Sequence, residues 1–355
     1  MKNSNEVHLA DCKTDAKCKV DTESAAAKRR EFDEWKLRGL ANIEKIIVDS
    51  KVADVHISSA KVSAIEIHLQ GKAQIDGDIR LSVKHEGIEL KVAIEVEGMC
   101  YLSNLRLDIT IPRTHFKTLS IQTSAGDVCV DNEDVLTYKL EVKTISGKID
   151  IKKGVCIRRI SLDSSSGDVL VNHIHGNERM VITTSSGKVI IGSYVWSGSV
   201  NIKTESGRVE MSGFAAEEAT VQTSSSNINL CDGFFAKKLY LKSRTGNVTL
   251  SEGDASNKLV IETDSGNVNA IMVSNDTVVK TNSGHVDLHL DAEKDIMFYV
   301  STFSGNVKMR FEHVKSLKVL ARSSTGKVGN HFSKSLFGHT AKGSIMSQSG
   351  KIVVK

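Results

Sequence analysis

Hydrophobic and polar residues alternate along most of this chain, and a recurring glycine resets the alternation. The phrase reads T-S-S-G-K-V-I-I at 184–191, T-E-S-G-R-V-E-M at 204–211 and T-D-S-G-N-V-N-A at 263–270. Two places after the glycine stand Val128, Ile149, Val169, Val189, Val209, Ile228, Val248, Val268, Val286, Val307, Val328 and Ile352, all β-branched. The fourth place after it is mostly apolar, with Asn330 the exception in the late repeats. The fifth place before it is also apolar, from Ile121 to Ile345, and shrinks to Ala321 in one repeat. The residues between are mostly polar. That is the period of two expected of strands with one buried face.

The glycines themselves are Gly126, Gly147, Gly167, Gly187, Gly207, Gly246, Gly266, Gly284, Gly305, Gly326 and Gly350, with Ser226 in the one vacant place. A period of about twenty residues marks a stacked-repeat architecture. Each repeat reads as strand, tight turn, strand, longer turn. The glycine is expected to supply a positive φ in the tight turn. Ser226 would carry the strain of that conformation, or Asn227 would take the left-handed place. Three places before the glycine every repeat has Thr or Ser, from Thr123 to Ser347. By parity this residue points inward at a corner, with its hydroxyl free to reach backbone. Val155, Ile174, Val195, Phe214, Phe234 and Val273 indicate a short third side. The expected fold is all-β, a single-chain parallel β-solenoid with rungs of about twenty residues. Right-handed winding follows from the hand that β-crossovers favour.

The flanks differ. Residues 1–22 are polar and read as a disordered tail. Residues 23–41 read as an α-helix, with Ser24 as its N-cap and Ala25 to Ala27 as strong formers. Phe32 and Trp35 would share one helical face, with Leu40 near it. This helix either caps the end of the solenoid or binds a partner or membrane surface, and these three residues are the candidate partner-binding site. Residues 42–115 are β-rich without the glycine phrase and read as irregular opening rungs. Regular repeats fill 116–355. The chain finishes in Lys351-Ile352-Val353-Val354-Lys355, a strand expected to leave an open edge for self-association.

Composition narrows the function. With 40% hydrophobic residues in 355, a continuous core can form. Net charge is +4 and no Lys/Arg block stands out, so nucleic acid is not implied. Aromatics, at 5%, are thin for base stacking. No apolar run approaches the twenty or so residues of a transmembrane helix, and no signal-peptide core is visible. The expected location is cytoplasmic, with the cell envelope or surface as the alternative. Six scattered cysteines read as reduced thiols.

Little in the sequence carries chemistry. A Thr or Ser in every rung is a structural device, because a catalytic serine needs a base at one place. Asp127, Lys148, Asp150, Asp168, Lys188, Arg208 and Glu210 stand outward beside the glycine turns and read as a salt-bridge ladder. Glycan-cleaving β-helices use similar clusters, so an active groove stays open as an alternative. Asn227, Asn247 and Asn267 form an asparagine ladder that would hold rungs in register. His285, Asp287 and His289 alternate on one strand, too far apart for all three to bind one metal. No catalytic residue, cofactor or metal site is expected.

The segment LDITIPRTHFKTLSIQTSAGDVCV at 107–130, followed by the S-S-G-x-V-x-[IVL] repeats, resembles the bacterial putative-adhesin family. This is a domain-of-unknown-function family of β-strand repeats, and the likeness covers about 43–355. It implies a β-solenoid in surface, envelope or cytoplasmic proteins, and no catalytic residue. The function expected is a non-enzymatic scaffold or binding protein for a protein or glycan partner. The alternatives are self-assembly through open solenoid ends and glycan cleavage.

Overall fold

The computed structural model describes residues 19–21, 28–132, 136–155, 157–333 and 337–355. The described residues are all-β and contain no helix. They form a parallel β-solenoid in two compact units, 1–157 and 158–355. The predicted tail lies outside the described residues except for Lys19–Asp21.

The first unit begins with β1 (Lys19–Asp21) and β2 (Lys28–Gly39), which pair antiparallel. The helix predicted over 23–41 is therefore corrected to a strand over 28–39, followed by a turn at 41, in the part the structure describes. Side chains along β2 alternate in burial, with Arg30, Phe32, Glu34, Lys36 and Arg38 turned inward. Hydrophobic periodicity could not reveal this strand, because most of its inner face is charged. Its partner fixes it instead. All twelve residues of β2 pair antiparallel with the first half of β5 (Ala64–Glu86).

Next along the chain, β5 and β6 (Glu89–Pro112) make one long antiparallel hairpin. The two halves of β6 lie parallel to β3 (Lys45–Ser50) and β4 (Ala53–Ala60). Those strands in turn lie parallel to β7 (His115–Thr123) and β8 (Val128–Asn132), which begin the regular repeats. The repeats continue with β9 (Leu136–Thr144) and β10 (Ile149–Val155). The irregular region read from sequence is thus a hairpin laid across the first coil.

In the second unit successive rungs pair in parallel and in register. Ile182 sits over Ile202, Ile202 over Val221, and Val221 over Leu241. Val189, Val209, Ile228 and Val248 form the matching column on the other strand. Each of these side chains is at most 1% exposed. Ile174, Val195, Phe214 and Phe234 close the third side and are buried too, while Val273 is only half-buried.

The recurring glycines do not have positive φ. Their reason is close approach between rungs. A Cβ on Gly187 would lie 2.0 Å from the carbonyl oxygen of Gly167, and one on Gly266 1.9 Å from that of Gly246. Neither Ser226 nor Asn227 needs a left-handed conformation. The inward Thr/Ser column behaves as its chemistry predicts. The glycine N–H donates to the hydroxyl oxygen three residues earlier, as in Gly207 to Thr204 at 2.8 Å and Gly266 to Thr263 at 2.9 Å. The hydroxyl is buried and satisfied, so it is a corner brace.

The end of the second unit departs from chain order. The final strand, Ile352–Val354, pairs on one side with Val307–Glu312 and on the other with Val328–Asn330. Likewise His339–Ser347 lies between Ile296–Thr302 and Val314–Ser323. The last coil in sequence is thus inserted beneath the one before it. The C-terminal strand is not the open edge that the sequence led us to expect. The coil 314–330 is.

Candidate functional site

The three residues singled out as a helical binding face do not form one. Phe32 and Trp35 lie on opposite faces of β2, half-buried and exposed respectively, and Leu40 is half-buried just beyond it. Trp35 stacks on His68 with ring centroids 3.9 Å apart and 12° between planes. The His68 ring is held at its other side by Asp33, with Nε2 2.8 Å from Oδ1. Nearby, Asp108 gathers Gln70 Nε2, Arg106 Nε and His56 Nδ1 from three strands. Burial pushes the Asp108 carboxyl up, but the hydrogen bonds from Gln70 and Arg106 outweigh it and hold the group below its ordinary value. These contacts fasten the hairpin to the coil and leave no carboxylate free for acid–base work there.

The outward charged column is also engaged, in a way the sequence did not show. Asp127 accepts the backbone N–H of Lys148 at 2.7 Å, and Asp168 that of Lys188 at 2.8 Å. Asp150 is paired with Lys148, and Glu210 with both Lys188 and Arg208. The asparagine ladder uses the same device. Asn227, Asn247 and Asn267 each accept the backbone N–H one rung on, from Asn247, Asn267 and His285. So the ladder ties side chain to backbone, not amide to amide. Asp and Asn recur here because an acceptor at this place meets a backbone N–H of the next rung.

Among the histidines of the second unit, Asp287 is taken by Lys308 and Arg310. His289 meets Glu312 at 2.9 Å and His313 meets Asp291 at 2.5 Å. Asp291, Glu312 and His313 could bring one donor atom each within 4.8 Å. Each imidazole already has a carboxylate, and the hydrogen bond His313 donates to Asp291 raises the His313 pKa. The described cysteines, Cys100, Cys129 and Cys231, are free, and burial pushes each thiol up, away from an activated thiolate.

What the rungs do build is a groove of about 720 Å³ on the second unit. Its cause is the corner itself. The residue before each inward Thr/Ser points out on one side, and the residue after it points out beyond the turn. One wall is Lys203, Gln222, Lys242, Glu262, Lys280 and Ser301, and the other is Ser224, Arg244, Asp264, Asn282, Phe303 and Gln348. The Thr/Ser column is the floor. Ion pairs cross between rungs along the walls, Lys242 to Glu262 at 3.5 Å and Lys280 to the same carboxylate at 3.9 Å. Phe303 stands at one end, 61% exposed. The groove is a linear row of hydrogen-bonding groups with one aromatic platform. The sequence analysis singled out none of these wall residues. The signal was there, since the same two offsets from the inward Thr are polar in rung after rung.

A family model described as Toastrack DUF4097 matches residues 43–201 and again 192–351. Solved structures to which the chain shows similarity include a putative cell adhesion protein from Clostridium sporogenes, 12% identical, covering 92% of this chain and 99% of that one, TM-score 0.17. Another is a putative adhesin from Parabacteroides merdae, 12% identical, covering 90% and 95%, TM-score 0.27. A third is described as a putative lipid binding protein from Parabacteroides distasonis, 12% identical, covering 91% and 97%, TM-score 0.28. No curated protein matches the chain. No described helix is long and apolar enough to cross a membrane.

Proposed function

We propose that this chain, which belongs to the Toastrack DUF4097 family, is a non-enzymatic β-solenoid that binds a glycan along the groove of its second unit. The observation that carries the reading is the groove's repetition. Five rungs present side chains at the same two offsets, with Lys203 and Gln348 added from the rungs at either end, and every wall residue but Phe303 can donate or accept a hydrogen bond. Rungs repeat about every 4.8 Å, close to the length of a sugar residue, so a linear polymer can keep step with them. Four cations, Lys203, Lys242, Arg244 and Lys280, against Glu262 and Asp264 favour an acidic chain. Phe303 offers the apolar face on which a sugar ring stacks.

The non-catalytic part of the reading rests on occupied groups. Asp150, the carboxylate best placed for the glycan-cleaving alternative, is tied to Lys148. In this reading the protein works at the cell envelope or surface rather than in the cytoplasm. Protease treatment of intact cells should remove it.

The decisive experiment is a glycan array probed with the full chain, the Lys242→Glu/Lys280→Glu variant and Phe303→Ala. Binding of acidic glycans that weakens about tenfold in each variant, about 1.4 kcal/mol, supports the reading. Absence of binding across acidic and neutral glycans overturns it, as does binding that neither variant changes.

A further inference from the structure

The coil at the end of the second unit is unlike any other rung. Among the described residues, Val314–Ser323 pairs only with His339–Ser347, and Val328–Asn330 only with Ile352–Val354. One whole edge of backbone N–H and C=O groups therefore has no strand partner. The inward side chains are uncovered on the same side. Val328 is 44% exposed, whereas Val307 and Ile352, which hold its place in the two rungs beneath, are 1% and 0% exposed. Leu317, Val319 and Ala321 are half-buried where Ala341 and Ile345 are fully buried.

This end also has a charge of one sign. Residues 314–355 contain seven Lys, one Arg and no Asp or Glu. Their +8 against +4 for the whole chain leaves −4 for residues 1–313. On the edge strand, Lys315, Lys318 and Arg322 are exposed, and Lys327 follows. An edge strand so charged repels its own copy, a usual defence against self-pairing. The same charges attract an acidic strand.

We propose that the open coil 314–330 is a docking edge for an acidic, extended polypeptide segment, which adds to the stack as a further parallel or antiparallel strand. The unpaired backbone supplies the ladder, as in recognition by strand addition. Carboxylates at alternate residues of the partner meet Lys318 and Arg322, with Lys315 beside them at the bulge. Apolar residues between them cover Leu317, Val319 and Ala321. The same edge of a second copy is the wrong occupant, because it would bring Lys and Arg to Lys and Arg. A lipid surface is disfavoured because hydrocarbon cannot satisfy an open strand edge.

The test uses the full chain and a labelled ten-residue peptide alternating Val and Glu. Controls are an alternating Val and Lys peptide and a peptide of equal negative charge with Pro in place of Val. The acidic peptide should bind, with hydrogen exchange slowed in 314–330. Both controls should bind at least about tenfold more weakly. Lys315→Glu/Lys318→Glu/Arg322→Glu, all exposed and expected to keep the melting temperature, should abolish binding and turn preference to the Val and Lys peptide. Lys242→Glu/Lys280→Glu, in the groove, should bind the acidic peptide as the wild type does, which keeps this inference separable from the glycan reading. Equal binding of the Pro peptide would mean charge alone and overturn strand addition. So would binding unaffected by the triple change, self-association of the chain in place of peptide binding, or tighter binding to anionic vesicles than to the peptide.

Discussion

The opening of the first unit and the last rung of the second face the same problem, a stack of strands that must stop. They solve it oppositely. At the opening, β5 and β6 cross the first coil as a hairpin, and β2 lies over half of β5. The other half of β5 is met by side chains, with Lys36 donating to the carbonyl of Leu81 and Arg38 to that of Val83. At the far rung, Val314–Ser323 has charge and no cover. The lesson is that spending chain moves an edge outward, here to β2, which among the described residues pairs on its outer side only at Arg29–Glu31, whereas charge guards an edge where it stands.

The largest effects should separate closed from open. Ile67, wholly buried in β5, replaced by Asp should cost about 4 kcal/mol or more, because it buries a charge without a partner. Val328→Asp, at an equally apolar place on the open rung, should cost less than about 1 kcal/mol. Urea denaturation read by hydrogen exchange in each region checks both, and equal losses would mean the far rung is covered in solution. Gly266→Ala should follow at roughly 2–4 kcal/mol, since the new Cβ must push two rungs apart. Gly39→Ala in β2, with no atom within 4 Å of the added carbon, should be nearly silent in the same denaturation.

A smaller effect tests the side-chain closure. Lys36→Met with Arg38→Met should lose roughly 1–2 kcal/mol through the unanswered carbonyls of Leu81 and Val83. Exchange along 79–86 should quicken while 64–75 holds. Smallest is a titration near the open end. The hydrogen bond His313 donates to Asp291 raises the His313 pKa, so its NMR midpoint should lie above that of free histidine and fall back in Asp291→Asn. Because the folded value is the higher one, the pair's contribution is full below the ordinary histidine value. It is lost as pH rises through the folded value.

The core was legible because each inward place repeats the same physics. Val or Ile two after the glycine and Thr or Ser three before it are dictated by neighbours that are themselves repeats. The glycines were legible as a column but not in their cause, since a turn needing positive φ and a rung needing close approach both select glycine. The strand β2 was not legible. Phe32 and Trp35 at a spacing of three imitate a helix, and the true alternation of Arg30, Glu34, Lys36 and Arg38 carries no hydrophobic signal. The order of the last coils was hidden because all coils share one phrase, so any could neighbour any. One trace remained. Ala321 and Asn330, the small and polar exceptions at core places, belong to the coil that lacks a neighbour. The groove went unread because polar residues at outward places look the same whether or not the backbone turns a corner between them.

The inserted coil has a consequence for how the chain is made. A ribosome delivers 314–330 before 339–355, yet 339–355 must lie beneath it. Until 339–355 is made, Val307–Glu312 lacks the strand that pairs with it there. Removal of residues 339–355 would not merely trim a surface strand. It would delete an interior layer, the one that lies between Val307–Glu312 and Val328–Asn330.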